Sequence, residues 1–407
     1  MAGARGAMVA ATAATATAPL PARGEDLPAH TLPGPVGIAW EDGLLTYVGP
    51  VDGLPQEPTI GTPDRGLIVP GFVDCHVHLP FVGWRADEFE ARLAGASYRD
   101  LHGEEGGIYR SSRMLAAASD DDVVAFASAI AREMAAHGTT AMELKTGYGL
   151  SVEAELRQAR LARTLARAAP QTCSVTLLAC HAVPEGMRRD AWVRAACEEL
   201  IPAVAADGLA DQVDIYVEDI AFSLDDLEEV AEAAARAGLP LRVHADQLGP
   251  SGAAEAAVAL GARSADHLNH LSESGVTAFG SASGTVAVLL PASTFILRAD
   301  PPPVQALRDA GAAIAIATDL NPGTSPVCSM PEAIAIGCTL YGIEPLAALT
   351  AATANAAFVL GLDDRLGTLE VGKRADVVLL EGPSFAQVPY RPGHDPVLAT
   401  VIGGAVT

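Results

Sequence analysis

The chain is poor in positive charge: 26 Lys and Arg stand against 50 Asp and Glu in 407 residues, a formal net charge of −24. Lysine is nearly absent, occurring at Lys145 and Lys373. Such a balance offers a nucleic-acid backbone or an anionic membrane surface little to hold, so no binding to either is expected. The lack of a basic stripe also argues against an Ala-rich nucleic-acid-binding or structural protein. There is no CxxC pair and no dense cysteine framework. Cys75, Cys173, Cys180, Cys197, Cys328 and Cys338 are scattered and read as buried or incidental thiols of a reducing compartment. No segment reaches the ~20 apolar residues of a membrane span. The opening MAGARGAMVAATAATATAPL is a poor apolar run with Arg5 as its early charge, so it reads as the loose N-terminus of a cytoplasmic chain. Aromatics are few, at 5%, but half the residues are hydrophobic, enough for a large core.

Between residues 30 and 66 lie short strand-like pieces such as VGIAWEDGLLTYVGP, and the C-terminus has the same texture in GTLEVGKRADVVLLEG and PVLATVIGGAVT. These ends are expected to pair into one small β-sandwich, with residues 1–66 and 363–407 as its two parts. Residues 67–362 alternate instead between apolar strands and amphipathic helices. The strand candidates are LIVPGFVDCHVH, TTAMELKT, CSVTLLACH, VDIYVED, LRVHAD, RSADHL, TVAVLLP and AAIAIATD. Stretches such as SVEAELRQARLARTLARAA and LDDLEEVAEAAARAG carry helical periodicity between them. Apolar strands alternating with helices imply a parallel sheet covered on its faces. Eight repeats predict an α/β fold with a closed (β/α)₈ TIM-type barrel. No GxGxxG follows the first strand, which weakens a dinucleotide-binding alternative.

Polar residues gather at the C-terminal ends of these strands. His76 and His78 end the first, His181 the third, His244 the fifth, His267 the sixth and Asp319 the eighth. In a barrel these ends share one face, where catalytic groups sit. A lone histidine is more often a satisfied core or surface residue than a ligand, but that does not explain five of ten histidines at strand ends. Residues i and i+2 of a strand point the same way, so His76 and His78 both face the barrel mouth. With His244 and Asp319 they make a nitrogen–oxygen set suited to one divalent ion, Zn²⁺ or Fe²⁺.

PGFVDCHVHLPF resembles the first-strand signature of the amidohydrolase superfamily. Together with WRADEFEARLAGASY, ELKTGYGL, HAVP, HADQLG, SADHL and ATDLNPG, it resembles the imidazolonepropionase family of histidine degradation. Members open the ring of 4-imidazolone-5-propanoate to give N-formimidoyl-L-glutamate. The resemblance spans about residues 67–380 and makes His76, His78, His244 and Asp319 metal ligands. It places Arg85, Tyr148 and His181 on the substrate, Gln247 and His267 close to the ring, and Asn321, Gly323 and Thr324 in a pocket-lining loop. It also implies a cytoplasmic homodimer.

Chemistry gives these roles a rationale. Arg85 can grip a substrate carboxylate through paired donors while Tyr148 adds a hydroxyl; the plainer alternatives are an Arg85 salt bridge to Asp87 or Glu88 and ordinary loop packing of Tyr148. Asp319 is expected to act as general base, with His267 or His181 donating to the oxyanion or relaying a proton to the leaving ring nitrogen. The fourth strand carries no lysine to bridge two metals, which favours a single ion. Gln247, where some members have Glu, cannot take a proton, so base catalysis falls to Asp319 and a shifted ring substrate stays open. The nearest rivals are a heterocycle deaminase or another cyclic-amide hydrolase with the same ligands. A non-catalytic barrel is a rival of another class, and it would not be expected to keep all four ligands.

Overall fold

The computed structural model describes residues 5–96, 101 and 106–407. Ser97 and Tyr98, at the end of the WRADEFEARLAGASY run, lie outside them.

Eight parallel strands form the central sheet: β8 (Phe72–Asp74), β9 (Thr139–Lys145), β10 (Thr172–Cys180), β11 (Gln212–Val217), β12 (Leu241–Ala245), β13 (Ser264–His267), β14 (Val286–Leu289) and β15 (Ile314–Ile316). Each pairs with its neighbours in sequence, as a barrel requires. The ends of the sheet meet where Val77 bridges Leu320 in parallel and His78 N–H donates to the Leu320 carbonyl at 2.9 Å. Nearly every barrel-strand residue is buried, so no polar–apolar alternation marks a solvent face. Helices between the strands begin where the sequence supplies caps. Ser151 accepts from the Ala154 amide to start Val152–Ala168, and Ser223 with Asp226 forms a capping box for Leu224–Ala237. Gly238, at φ +71°, ends the latter helix.

The remaining strands make two smaller sheets. One has the order β5 (Leu44–Pro50), β4 (Val36–Glu41), β1 (Gly6–Ala10), β6 (Thr59–Gly61). The other runs β18 (Ala405–Val406), β17 (Val397–Ile402), β16 (Val377–Leu380), β7 (Leu67–Pro70), β2 (Thr12–Thr15), β3 (His30–Leu32), mixing both ends of the chain. Met8, Ile38, Trp40, Ile68, Val377 and Val401 share the core between them.

Two expectations need correction. The loose N-terminus is instead ordered from Gly6, and β1 is a fully buried inner strand between β4 and β6. Small residues are what this position needs: a Cβ on Gly6 would sit 2.5 Å from the Trp40 ring. The run LIVPGFVDCHVH is not one strand. It breaks at Gly71, where a Cβ would lie 2.1 Å from Thr140 Oγ1, so β7 joins the terminal sheet and β8 enters the barrel. His76 and His78 follow β8 on an extended continuation rather than within it.

Candidate active site

Four histidines and an aspartate converge at the barrel mouth. Ligand-capable atoms of His76, His78 and His244 lie within 4.8 Å of one another, as do those of His76, His267 and Asp319. His76 Nε2 is 3.2 Å from His78 Nε2, and Asp319 Oδ1 is 3.5 Å and 3.3 Å from those two nitrogens. All are buried.

The far sides of two rings show which nitrogens face the centre. His76 Nδ1 is 2.6 Å from Asp266 Oδ2, and His244 Nδ1 is 3.1 Å from Asp214 Oδ1. Each carboxylate fixes the proton on Nδ1 and leaves the Nε2 lone pair pointing inward, the arrangement of metal-ligating histidines. Buried His244 Nε2 has no hydrogen-bond partner among the described residues, a costly state that a cation relieves. The donor set therefore fits a divalent metal. Burial drives the His76 and His78 imidazoles below their ordinary range, keeping both neutral as ligation requires. Burial raises the Asp319 carboxyl, but the His78 hydrogen bond and the surrounding histidines outweigh it and leave it below the usual range. Asp319 and His267 hold φ values of +56° and +78°, uncommon for side chains of their size, so local backbone strain accompanies their aim.

A narrow chamber of about 30 Å³ opens above these residues. Its walls include Arg85, Tyr148, His181, Gln247, His267, Asn321 and Thr324, with Ile108 and Tyr216. Glu155 shapes the KTGYGL loop by accepting from the amides of Gly147, Gly149 and Leu150. Gln158 Oε1 accepts the Tyr148 amide at 2.9 Å. His181 Nδ1 is 3.1 Å from the Gly147 carbonyl, which can only accept, so that nitrogen carries the proton. Asn321 Oδ1 accepts from the amides of Gly323 and Thr324, which folds the loop after Asp319. Gly323 itself lies outside the chamber wall and beneath Arg85, whose Nη2 a Cβ would meet at 1.8 Å. Arg85 combines both of its expected settings: it lines the chamber while Nε donates to Glu88 Oε2 at 3.0 Å and Nη1 to Ser111 Oγ.

A family model for the amidohydrolase family matches residues 67–406. The imidazolonepropionase of Rubrobacter xylanophilus is 42% identical over 393 residues, covering 95% of this chain and 94% of that protein. The imidazolonepropionase of Cupriavidus pinatubonensis is 44% identical over 376 residues, covering 90% and 88%. The chain belongs to the imidazolonepropionases of the amidohydrolase family. Solved structures extend the likeness of this amidohydrolase at the level of fold. A zinc-bound adenosine deaminase from Xanthomonas campestris aligns with TM-score 0.72 at 19% identity, covering 98% of this chain and 92% of that one. Guanine deaminase from C. acetobutylicum gives 0.67 at 14% identity, covering 99% of each.

Sequence reading missed the layer that holds the amidohydrolase ligands from below. Glu143, Lys145, Asp214, Arg242 and Asp266 are fully buried and joined to one another. A signal for them exists: each interrupts an otherwise apolar barrel strand, and Arg242 stands two residues before His244 on the same face. Glu218 was missed as well. It accepts from the amides of Gln247 and Leu248 at 2.6 and 2.8 Å, and burial pushes its carboxyl up to about 7.

Proposed function

We propose that this hydrolase opens the ring of 4-imidazolone-5-propanoate with water to give N-formimidoyl-L-glutamate, using one divalent ion, Zn²⁺ or Fe²⁺, held by His76, His78, His244 and Asp319. The observation that carries the reading is the convergence of those four side chains, with His76 and His244 each turned inward by a buried carboxylate. A cation bound there supplies Lewis-acid activation of water and of the ring carbonyl.

The protein's own groups do the rest. The water oxygen adds to the ring carbonyl carbon, the ring C–N bond breaks, and the carbonyl becomes a carboxylate. Asp319, ionised at neutral pH, accepts a proton from the attacking water. His267, pushed down to about 3 chiefly by burial, is neutral and offers one N–H to the oxygen on which charge develops. His181, its Nδ1 engaged by Gly147, lines the chamber and exchanges a proton with the leaving ring nitrogen. Arg85 and Tyr148 receive the propanoate carboxylate, Gln247 holds a ring polar atom, Asn321 and Thr324 line the chamber, and Gly323, lacking a side chain, leaves room for Arg85. The reading carries with it a cytoplasmic homodimer and a division between sandwich and barrel at residue 362 and, since β7 joins the terminal sheet, after Pro70 in place of the expected residue 66. No described helix is long and apolar enough to cross a membrane.

The deciding test is to determine the metal in purified protein, then follow loss of 4-imidazolone-5-propanoate absorbance with and without a chelator. Rapid, chelator-sensitive conversion to N-formimidoyl-L-glutamate is expected. Fully metallated protein without turnover would overturn the substrate and redirect the search to other carboxylate-bearing cyclic amides.

A further inference from the structure

We propose that Lys145 and Arg242 are positioning residues for the metal-binding nitrogens of His244 and His76, acting through Asp214 and Asp266. The inference rests on the metal site proposed above and concerns the layer of side chains beneath it.

Three carboxylates and two cations occupy the barrel axis with no solvent contact. Stability alone gives little reason for them, because apolar residues of similar volume commonly serve a core as well or better. Their contacts have a direction instead. Asp214 is pinned at both oxygens: Lys145 Nζ reaches Oδ2, and the Ile215 amide donates to Oδ1 at 2.8 Å. That leaves the carboxylate one orientation in which to meet His244 Nδ1. Asp266 is pinned in the same way, with Ser264 Oγ on Oδ1 and Arg242 Nη2 on Oδ2 at 2.6 Å, the oxygen that also meets His76 Nδ1. Arg242 further donates to the Cys75 carbonyl at 2.7 Å, fixing the backbone beside His76. Glu143 joins the halves, since Lys145 and Arg242 both bind it. Residues from four strands thus set two ligands as one unit.

The test uses the full chain. Lys145→Met strands two buried carboxylates, so the decisive variant is the pair Glu143→Gln/Lys145→Met, which removes one charge of each sign. The metal-free pair variant is expected to unfold near the wild-type temperature, with Zn²⁺ affinity by chelator competition lowered about 10–100-fold. Its Co²⁺-loaded form should show a shifted visible spectrum, a change that loss of packing elsewhere would not produce. Should the pair variant fail to fold, Ser264→Ala decides: it removes the hydroxyl bracing both Arg242 Nε and Asp266, and about a 3–10-fold loss of affinity is expected. Wild-type Zn²⁺ affinity and Co²⁺ spectrum in a folded pair variant, or in Ser264→Ala where the pair does not fold, would overturn the inference and leave the metal site standing. A wild-type protein that binds no Zn²⁺ would instead overturn the metal site itself.

Discussion

Between the terminal sheets, Met8, Ile38, Trp40, Ile68, Val377 and Val401 pack as an apolar core. Along the barrel axis, equally far from water, Glu143, Lys145, Asp214, Arg242 and Asp266 form a layer of paired charges. The two regions spend burial differently. Apolar contact stabilises in proportion to the area hidden and tolerates small shifts of position. Paired charges gain little net stability but permit few geometries, because any misplaced member is left desolvated and unmatched. The sandwich therefore holds the chain ends, while the axial layer holds angles at the ligands above it.

This contrast predicts that substitutions in one region will separate activity from stability in the opposite sense to those in the other. The largest effect belongs to Asp319→Asn, expected to lower kcat by about 10²–10⁴-fold while the unfolding temperature stays close to wild type. Full turnover with metal retained would remove Asp319 as the base. In the sandwich, Trp40→Ala is expected to cost about 3–5 kcal/mol of stability, read by denaturant unfolding, with kcat per folded molecule unchanged. Collapse of turnover in folded Trp40→Ala would show that the two regions are not separable.

A smaller effect is expected from Arg85→Leu, which should raise KM for a carboxylate-bearing substrate about 10–100-fold, the worth of a hydrogen bond to a charged group. An unchanged KM would leave Arg85 with Glu88 and Ser111 as its sole business. The smallest concerns Glu218. Burial raises its carboxyl to about 7, so between its ordinary value of 4.5 and about 7 the native state holds a proton that the unfolded chain has released. Its stabilising contribution is full below about pH 4.5 and is lost as pH rises through about 7. Glu218→Gln should flatten the decline in unfolding temperature between pH 5 and pH 8. An identical decline in the variant would mean that Glu218 is ionised throughout.

The same contrast explains what the sequence made legible. The eight barrel strands stood out because residues buried on both faces leave continuous apolar runs, and His76, His78, His244 and Asp319 stood out because they break such runs at the ends that face the mouth. Glu143, Lys145, Asp214, Arg242 and Asp266 break the runs too, but a charge inside a strand looks like noise until its partners on other strands are known. Lys145 lies on the second strand, and its contact with Asp214 depends on pairing that no local pattern carries. The N-terminus was misread for a related reason. Ala and Thr alternation gives a weak strand signal, and only the Trp40 ring across from Gly6 shows why small residues are needed there.

The break at Gly71 has a consequence for the order in which the molecule can be made. β7 pairs with β2 on one side and β16 on the other, so a segment leading directly into His76 and His78 finds its second neighbour only after the barrel strands have left the ribosome. β7 is thus among the first strands synthesised and among the last to be anchored on its second side. Long-separation pairing of this kind slows folding and leaves an apolar edge uncovered meanwhile. A nascent chain halted before Val377 would expose the edge of β7, which makes that interval the one in which a chaperone has most to protect.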